Sequence, residues 1–171
     1  MEHLRALVRD VPDFPIPGIL FRDVTPLLRD PRGLADVVDR LAGEYAGAGI
    51  DLVAGIESRG FIFGAPLALR LGVGFVPVRK PGKLPYDRVS REYALEYGTN
   101  VLELHSDAVR PGQRVLLVDD LLATGGTARA SVGLLEELGG VVAGVAFVIE
   151  LEALGGRRVL EGYDVLSLIR Y

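Results

Sequence analysis

The chain contains no cysteine, which excludes disulfides, thiolate nucleophiles and cysteine-ligated zinc. It also lacks any apolar run near the about 20 residues that a membrane helix needs. The longest such run, Val141 to Ile149, is interrupted by Gly144, so no membrane partner is expected. The opening MEHLRALVRD alternates charged and apolar residues and has no signal-peptide h-region, which points to a cytoplasmic protein. An excess of positive charge is missing too. Lys and Arg number 19 against 23 Asp and Glu, a net charge of −4, which argues against a general nucleic-acid binder. Lysine is scarce: Lys80 and Lys83 are the only two, and they flank a Pro-Gly turn.

What is present suits one soluble globular domain spanning residues 1–171, with 49% hydrophobic and 25% charged residues. A chain of this size buries about two-thirds of its unfolded surface, enough for a stable core. From Asp51 onward, short apolar runs alternate with helical segments. Leu52 to Ile56, Phe75 to Val78, Arg114 to Asp119, Val141 to Ile149 and Asp164 to Ile169 read as buried strands. Phe61 to Leu71 and Thr127 to Leu138 read as helices, the second stopping at Gly139-Gly140. Strands alternating with helices imply βαβ units and a mostly parallel sheet, so the fold class is α/β.

Two segments break the rhythm. Residues 11–31 hold Pro12, Pro15, Pro17 and Pro26, yet also Phe14, Ile16, Ile19, Leu20 and Phe21. An irregular segment with this apolar content either caps a core or covers a ligand. Residues 80–98 form a second irregular stretch, and a loop of that length in a compact domain tends to be functional.

The richest segment is Val115-Leu-Leu-Val-Asp-Asp-Leu-Leu-Ala-Thr-Gly-Gly-Thr127. A buried strand ends in two carboxylates, passes through a glycine-containing loop and enters a helix. Ligands bind at such carboxyl ends in open α/β sheets. Gly125 and Gly126 allow their N–H groups to converge on an anion, Thr124 and Thr127 add hydroxyl donors, and the helix adds its positive end. The segment lacks the Gly-Lys-Ser/Thr of a P-loop, and no GxGxxG opens the first βα turn. Asp119 and Asp120 would repel a phosphate, so they face either sugar hydroxyls or a hydrated divalent metal. Phosphate at one end and hydroxyls at the other measure out a ribose 5-phosphate. An ordinary βα turn with an Asp and a Thr cap is the plainer alternative.

This segment resembles the phosphoribosyl-diphosphate (PRPP) motif of type I phosphoribosyltransferases, and its Ala-Thr-Gly-Gly-Thr version resembles the branch that uses adenine. Four further segments resemble that family in the same order: Phe14-Pro-Ile-Pro-Gly-Ile-Leu-Phe-Arg-Asp-Val-Thr-Pro-Leu-Leu28, Gly55-Ile-Glu-Ser-Arg-Gly-Phe-Ile-Phe-Gly64, Val78-Arg-Lys-Pro-Gly-Lys-Leu-Pro85 and Leu95-Glu-Tyr-Gly98. The resemblance implies a type I phosphoribosyltransferase fold: a parallel sheet flanked by helices, an N-terminal hood over 11–31, a flexible loop over 80–98 and a PRPP loop over 115–127.

It also implies roles. Asp119 and Asp120 would hold the ribose hydroxyls, and Ala123, Thr124, Gly125, Gly126 and Thr127 the 5-phosphate. Glu57, Ser58 and Arg59 would form the pyrophosphate loop, with a non-proline cis peptide at or next to Glu57–Ser58. Arg79, Lys80 and Lys83 would complete that pocket. Phe21 and Leu121 would sandwich adenine, with Leu20 and Arg22 offering backbone groups to its edge. Glu96 would meet the purine ring as a catalytic acid beside Arg59, and Tyr97 would line the same loop. The implied reaction converts adenine and PRPP to AMP and pyrophosphate, with Mg²⁺ as cofactor bound mainly through PRPP and water, in a homodimer. The implied alternatives are a phosphoribosyltransferase for another nucleobase and a PRPP-sensing module without catalysis. His3 and His105 have no partner at metal or triad spacing and read as structural.

Overall fold

Val115, Leu116, Leu117 and Val118 are all fully buried, and successive members of this run face different cores. The computed structural model, which describes residues 1–94 and 99–171, shows why. In chain order it contains α1 (Glu2–Arg5), β1 (Arg9–Pro12), β2 (Leu20–Asp23), α2 (Thr25–Arg29), α3 (Pro31–Glu44), β3 (Leu52–Ile56), α4 (Arg59–Leu71), β4 (Gly74–Val78), β5 (Arg88–Ala94), β6 (Thr99–His105), β7 (Arg114–Leu122), α5 (Gly126–Glu137), β8 (Val141–Glu150), α6 (Gly156–Val159) and β9 (Val165–Arg170). Five strands form a sheet in the order β4-β3-β7-β8-β9, and every neighbouring pair is parallel.

β7 is central, so both of its faces must be apolar. Leu116 and Val118 join Phe63 and Leu67 of α4 and Val37 and Leu41 of α3 in one core. Val115 and Leu117 join Val132, Leu134 and Leu135 of α5 in the other. Close approach of α4 to the sheet depends on two glycines. A Cβ on Gly55 or on Gly64 would lie 2.7 or 2.9 Å from the ring of Phe75.

The strands and the two helices expected beyond Asp51 are present, with one extension. β7 runs to Leu122 rather than ending at Asp119, because β8 offers ladder partners up to Glu150. Asp119 and Asp120 therefore sit inside a strand. α3 lies outside the elements expected above, although its signals are in the sequence. Asp30 accepts from the N–H groups of Arg32 and Gly33, Pro31 occupies the first turn, and Val37, Val38 and Leu41 are buried.

Both segments read as irregular carry regular structure. In the hood, β1 and β2 pair antiparallel, with Asp10 opposite Arg22 and Val11 opposite Phe21. The prolines permit this by position: Pro12 ends β1, Pro15 and Pro17 lie between the strands, and Pro26 sits in the first turn of α2, where no N–H donor is needed. Residues 88–94 and 99–105 form an antiparallel hairpin, with Val89 opposite Leu104 and Tyr93 opposite Asn100. The expectation of a continuous loop over 80–98 is corrected accordingly: most of its second half is strand. Among the described residues, no helix is long and apolar enough to cross a membrane.

Candidate active site

At the carboxyl end of β7 a cleft of about 370 Å³ opens between the β7–α5 connection, the β3–α4 connection and the hairpin. Asp119, Asp120, Leu121, Ala123, Thr124, Gly125, Gly126 and Thr127 line one side of it. Gly125 takes a left-handed conformation with φ of 85°, which turns the chain from strand into α5 and which a side chain would disfavour. The N-terminal end of α5 thus faces the cleft, as an anion site requires.

The second wall comes from the β3–α4 connection, where Glu57, Ser58 and Arg59 line the same cleft. The peptide bond between Glu57 and Ser58 is cis, as the family resemblance implied. Gly60 lets this connection lie directly on β7, since a Cβ there would come within 2.8 Å of the Val118 carbonyl and 2.9 Å of Asp119 Oδ1. The approach brings Arg59 to Asp120, and its Nε donates to Asp120 Oδ2. Asp119 Oδ1 accepts from the Asp120 N–H at 2.9 Å. Burial, with the Asp120 carboxylate next, pushes the Asp119 carboxyl well above the ordinary range.

Glu57 behaves differently. Burial opposes its ionisation, but the Lys80 N–H at 3.0 Å and the Arg79 Nε at 3.1 Å both donate to Oε2. Their combined effect holds the Glu57 carboxyl below the usual range. Glu57 is therefore an anchor for two cations of the expected pyrophosphate pocket. Lys80 lines the cleft. Arg79 also donates to the Lys83 carbonyl at 3.2 Å, and neither Arg79 nor Lys83 is among the residues lining the cleft.

Of the expected adenine site, Leu121 lines the cleft. Phe21 stands next to it through Arg59, whose guanidinium carbon is 5.9 Å from the Phe21 ring centre. Phe14 packs edge-on against Phe21 at 5.1 Å. Leu20 is 45% exposed. The Arg22 side chain turns away, pairing with Asp10 and stacking 3.8 Å from the ring of Tyr171, so only its backbone is available to a base. Glu96 and Tyr97 lie outside the described residues.

Six lining residues were not expected: Tyr93, Asn100, Leu102, Leu122, Ala128 and Phe147. Tyr93 reaches across from the hairpin, and its hydroxyl receives a hydrogen bond from Thr127 Oγ1 at 3.2 Å. Phe147 lies beside Asp119 in the β7–β8 register. The signal for Phe147 was its place in a strand neighbouring β7. Tyr93 and Asn100 gave none, because each reaches the cleft only through cross-strand pairing.

Comparison with known proteins decides the family. A model of the phosphoribosyl transferase domain matches residues 27–167. The chain belongs to the phosphoribosyltransferase family. It is 61% identical to the adenine phosphoribosyltransferase of Methylococcus capsulatus, over 100% of both chains. The crystal structure of adenine phosphoribosyltransferase from Thermoanaerobacter pseudethanolicus superposes with a TM-score of 0.97 at 56% identity, covering 99% of each chain. The Saccharomyces cerevisiae enzyme, solved with an imino-altritol bisphosphate and adenine, gives a TM-score of 0.94 at 42% identity over 98% of this chain and 97% of that one.

This phosphoribosyltransferase has the fold that the resemblance implied: a parallel five-stranded sheet with helices on both faces. The matched span begins at residue 27, inside the hood, and leaves residues 11–26 of it unmatched. Likeness in the hood itself rests on the relatives that cover the whole chain.

Proposed function

We propose that this phosphoribosyltransferase transfers the 5-phosphoribosyl group of PRPP to adenine, giving AMP and pyrophosphate. The observation that carries the reading is the pairing, along one stretch of chain, of an anion cradle at Gly125–Thr127 with the carboxylates Asp119 and Asp120. These open into one cleft, in a chain 61% identical to an adenine phosphoribosyltransferase.

The roles assigned here are those the family resemblance implies, and the cleft's lining supports several of them. Ala123, Thr124, Gly125, Gly126 and Thr127 hold the 5-phosphate through N–H and hydroxyl donors. Asp119 and Asp120 accept from the ribose hydroxyls. In the described structure Asp120 is occupied by Arg59. When ribose hydroxyls satisfy Asp120, Arg59 swings to the leaving pyrophosphate, joined by Lys80 and by Arg79 and Lys83 as they move in. Departure of pyrophosphate builds positive charge on the ribose ring, and adenine attacks from the opposite face with inversion. Fixed cations on the leaving group are worth most in a site closed to water. We assign water exclusion to segment 80–98, because Tyr93 on its strand already lines the cleft. Glu96 is assigned to the purine ring, with Tyr97 beside it. Phe21 and Leu121 sandwich the base, and Leu20 and Arg22 meet its edge through backbone groups.

The carboxylates present fit Mg²⁺ carried by the substrate. Among the described residues no group of three or more His, Cys, Asp or Glu could hold a metal, whereas Mg²⁺ prefers one or two carboxylates plus phosphates and water. Held mainly by PRPP and water, Mg²⁺ would neutralise charge on the leaving diphosphate, while Asp119 and Asp120 keep their place on the ribose hydroxyls. We assign the working form as a cytoplasmic homodimer, and the exposed Phe14, Ile16 and Ile19 of the hood support an interface.

The test is AMP formation from PRPP, Mg²⁺ and each of adenine, hypoxanthine, guanine, xanthine and uracil, with and without EDTA. Turnover with adenine alone, abolished by EDTA, is the expected result. Turnover with another base overturns the account of the hood, and PRPP binding without transfer overturns the assignment as an enzyme.

A further inference from the structure

Behind the phosphate loop, on the side away from the cleft, lies the turn that enters α6. Two glycines meet there backbone to backbone. A Cβ on Gly156 would lie 2.2 Å from the carbonyl oxygen of Ala123 and 2.9 Å from Leu122 Cδ1. From the other side, a Cβ on Gly125 would lie 2.6 Å from the carbonyl oxygen of Gly156 and 3.2 Å from its Cα. No other described glycine has its nearest backbone neighbour this close. The α6 turn is thus in direct backbone contact with the segment whose N–H groups face the cleft.

The turn is itself clamped. Arg157, the next residue, donates from Nε to Glu150 Oε1 at 3.0 Å and from Nη2 to Glu150 Oε2 at 2.6 Å. Its Nη1 donates to the Val165 carbonyl at 2.7 Å. Arg157 therefore binds the end of β8, through Glu150, and the start of β9, while its own backbone continues into Gly156. A two-toothed guanidinium–carboxylate pair fixes direction as well as distance. Glu150 is 4% exposed, so the clamp sits on the rigid sheet, and none of its members lines the cleft.

We infer that Gly156 and Arg157 are positioning residues for PRPP: they form a backstop that sets the phosphate loop Ala123–Thr127 against the sheet. The inference rests on the assignment of that loop to the 5-phosphate. A methyl group at Gly156 must push the Ala123 carbonyl by about 1 Å to reach an ordinary contact, and displacements of that size in a binding site cost up to about 100-fold. The effect falls on the phosphate end of the cleft, because the close contacts of Gly156 are to Leu122, Ala123 and Gly125.

The experiment compares the full-length wild type with Gly156→Ala, Arg157→Met and Arg157→Lys. Ribose 5-phosphate binding is measured by calorimetry, and KM for PRPP, KM for adenine, kcat and melting temperature are measured alongside. Gly156→Ala is expected to weaken ribose 5-phosphate and raise the PRPP KM by at least 10-fold each, with kcat within about threefold and adenine KM unchanged. Arg157→Met follows the same direction, and Arg157→Lys recovers only part, since an ammonium cannot span both carboxylate oxygens. Wild-type binding of ribose 5-phosphate in every variant overturns the inference. So does a loss shared equally between PRPP and adenine that tracks melting temperature, since that marks general destabilisation. Should Gly156→Ala fail to fold, Arg157→Lys decides by the same split. A wild type that does not bind ribose 5-phosphate overturns the assignment of the loop itself, and the inference with it.

Discussion

Arg59 pairs with Asp120 in an unequal setting: the carboxylate side chain is 7% exposed and the guanidinium side chain 44%. The acid is fixed in β7, and the base is free to leave. This asymmetry supports the proposal that Arg59 is the movable partner when substrate hydroxyls reach Asp120. Arg59→Ala should lower kcat by about 10²–10³, the usual loss on removing one preorganised electrostatic donor, with a smaller rise in PRPP KM. Asp120→Asn should instead raise PRPP KM most, because it removes a hydroxyl acceptor. Steady-state kinetics on both variants separates them, and equal effects on both parameters in both variants would contradict the division of roles.

Ionisation of Asp119 is unfavourable in the absence of substrate. Its folded pKa lies above its unfolded value because of burial and the adjacent Asp120. Between the two values the fold retains a proton that the unfolded chain has lost, so this group's contribution to stability falls as pH rises through that window and is level above it. Asp119→Asn removes the loss. The ligand-free variant should melt a few degrees above wild type at pH 8 and match it near pH 4, while activity drops at least about 100-fold. Thermal scans at fixed ionic strength check this, and equal melting temperatures at pH 8 would show Asp119 to be an ordinary carboxylate.

Glu57 has the opposite sign. Its folded pKa is depressed by the Lys80 N–H and Arg79, which outweigh its burial, so its stabilisation is present above the unfolded carboxylate pKa and is lost as pH falls through the folded value. Glu57→Gln should destabilise the protein by roughly 1.5–3 kcal/mol at pH 7, the range for a hydrogen bond to a charged group, and the two proteins should converge below about pH 4. Denaturant melts at several pH values read this out. PRPP KM should rise as well, since Arg79 and Lys80 lose their common anchor.

These sites were legible in the sequence to different degrees, for physical reasons. The central strands show as continuous aliphatic runs because both faces of a parallel sheet are covered, and Val115 to Val118 feed two cores. The proposed phosphate loop is legible because the chemistry assigned to it needs consecutive residues. The hairpin is hidden. Val89 and Tyr93 of β5 pack toward α5, but the same face also carries Arg91, which breaks the apolar alternation. Its guanidinium is accommodated over Gly133, where a Cβ would overlap Arg91 Nη1 at 1.3 Å. That match joins residues 42 positions apart and leaves no local pattern. The clamp of Arg157 on Glu150 is invisible for the same reason, since a Glu and an Arg seven residues apart usually mark a solvated surface.

The hood is tied to the body of the protein through Tyr171. The Arg22 guanidinium lies 3.8 Å from the centre of its ring and that of Arg5 lies 4.5 Å away. The backbone of Tyr171 is fixed in turn, its N–H donating to the Glu150 carbonyl and its carbonyl accepting from the Glu152 N–H, both at 2.9 Å. The ring therefore locates β2, the hood strand assigned to the edge of adenine. A partly exposed cation–ring contact is worth about 1 kcal/mol, so Tyr171→Ala should raise the adenine KM by about fivefold and leave the PRPP KM unchanged. Tyr171→Phe keeps the ring and should behave as wild type. A rise in PRPP KM with Tyr171→Ala would mean that the hood and the phosphate end move together, and the separate positioning of the two substrates would then have to be abandoned.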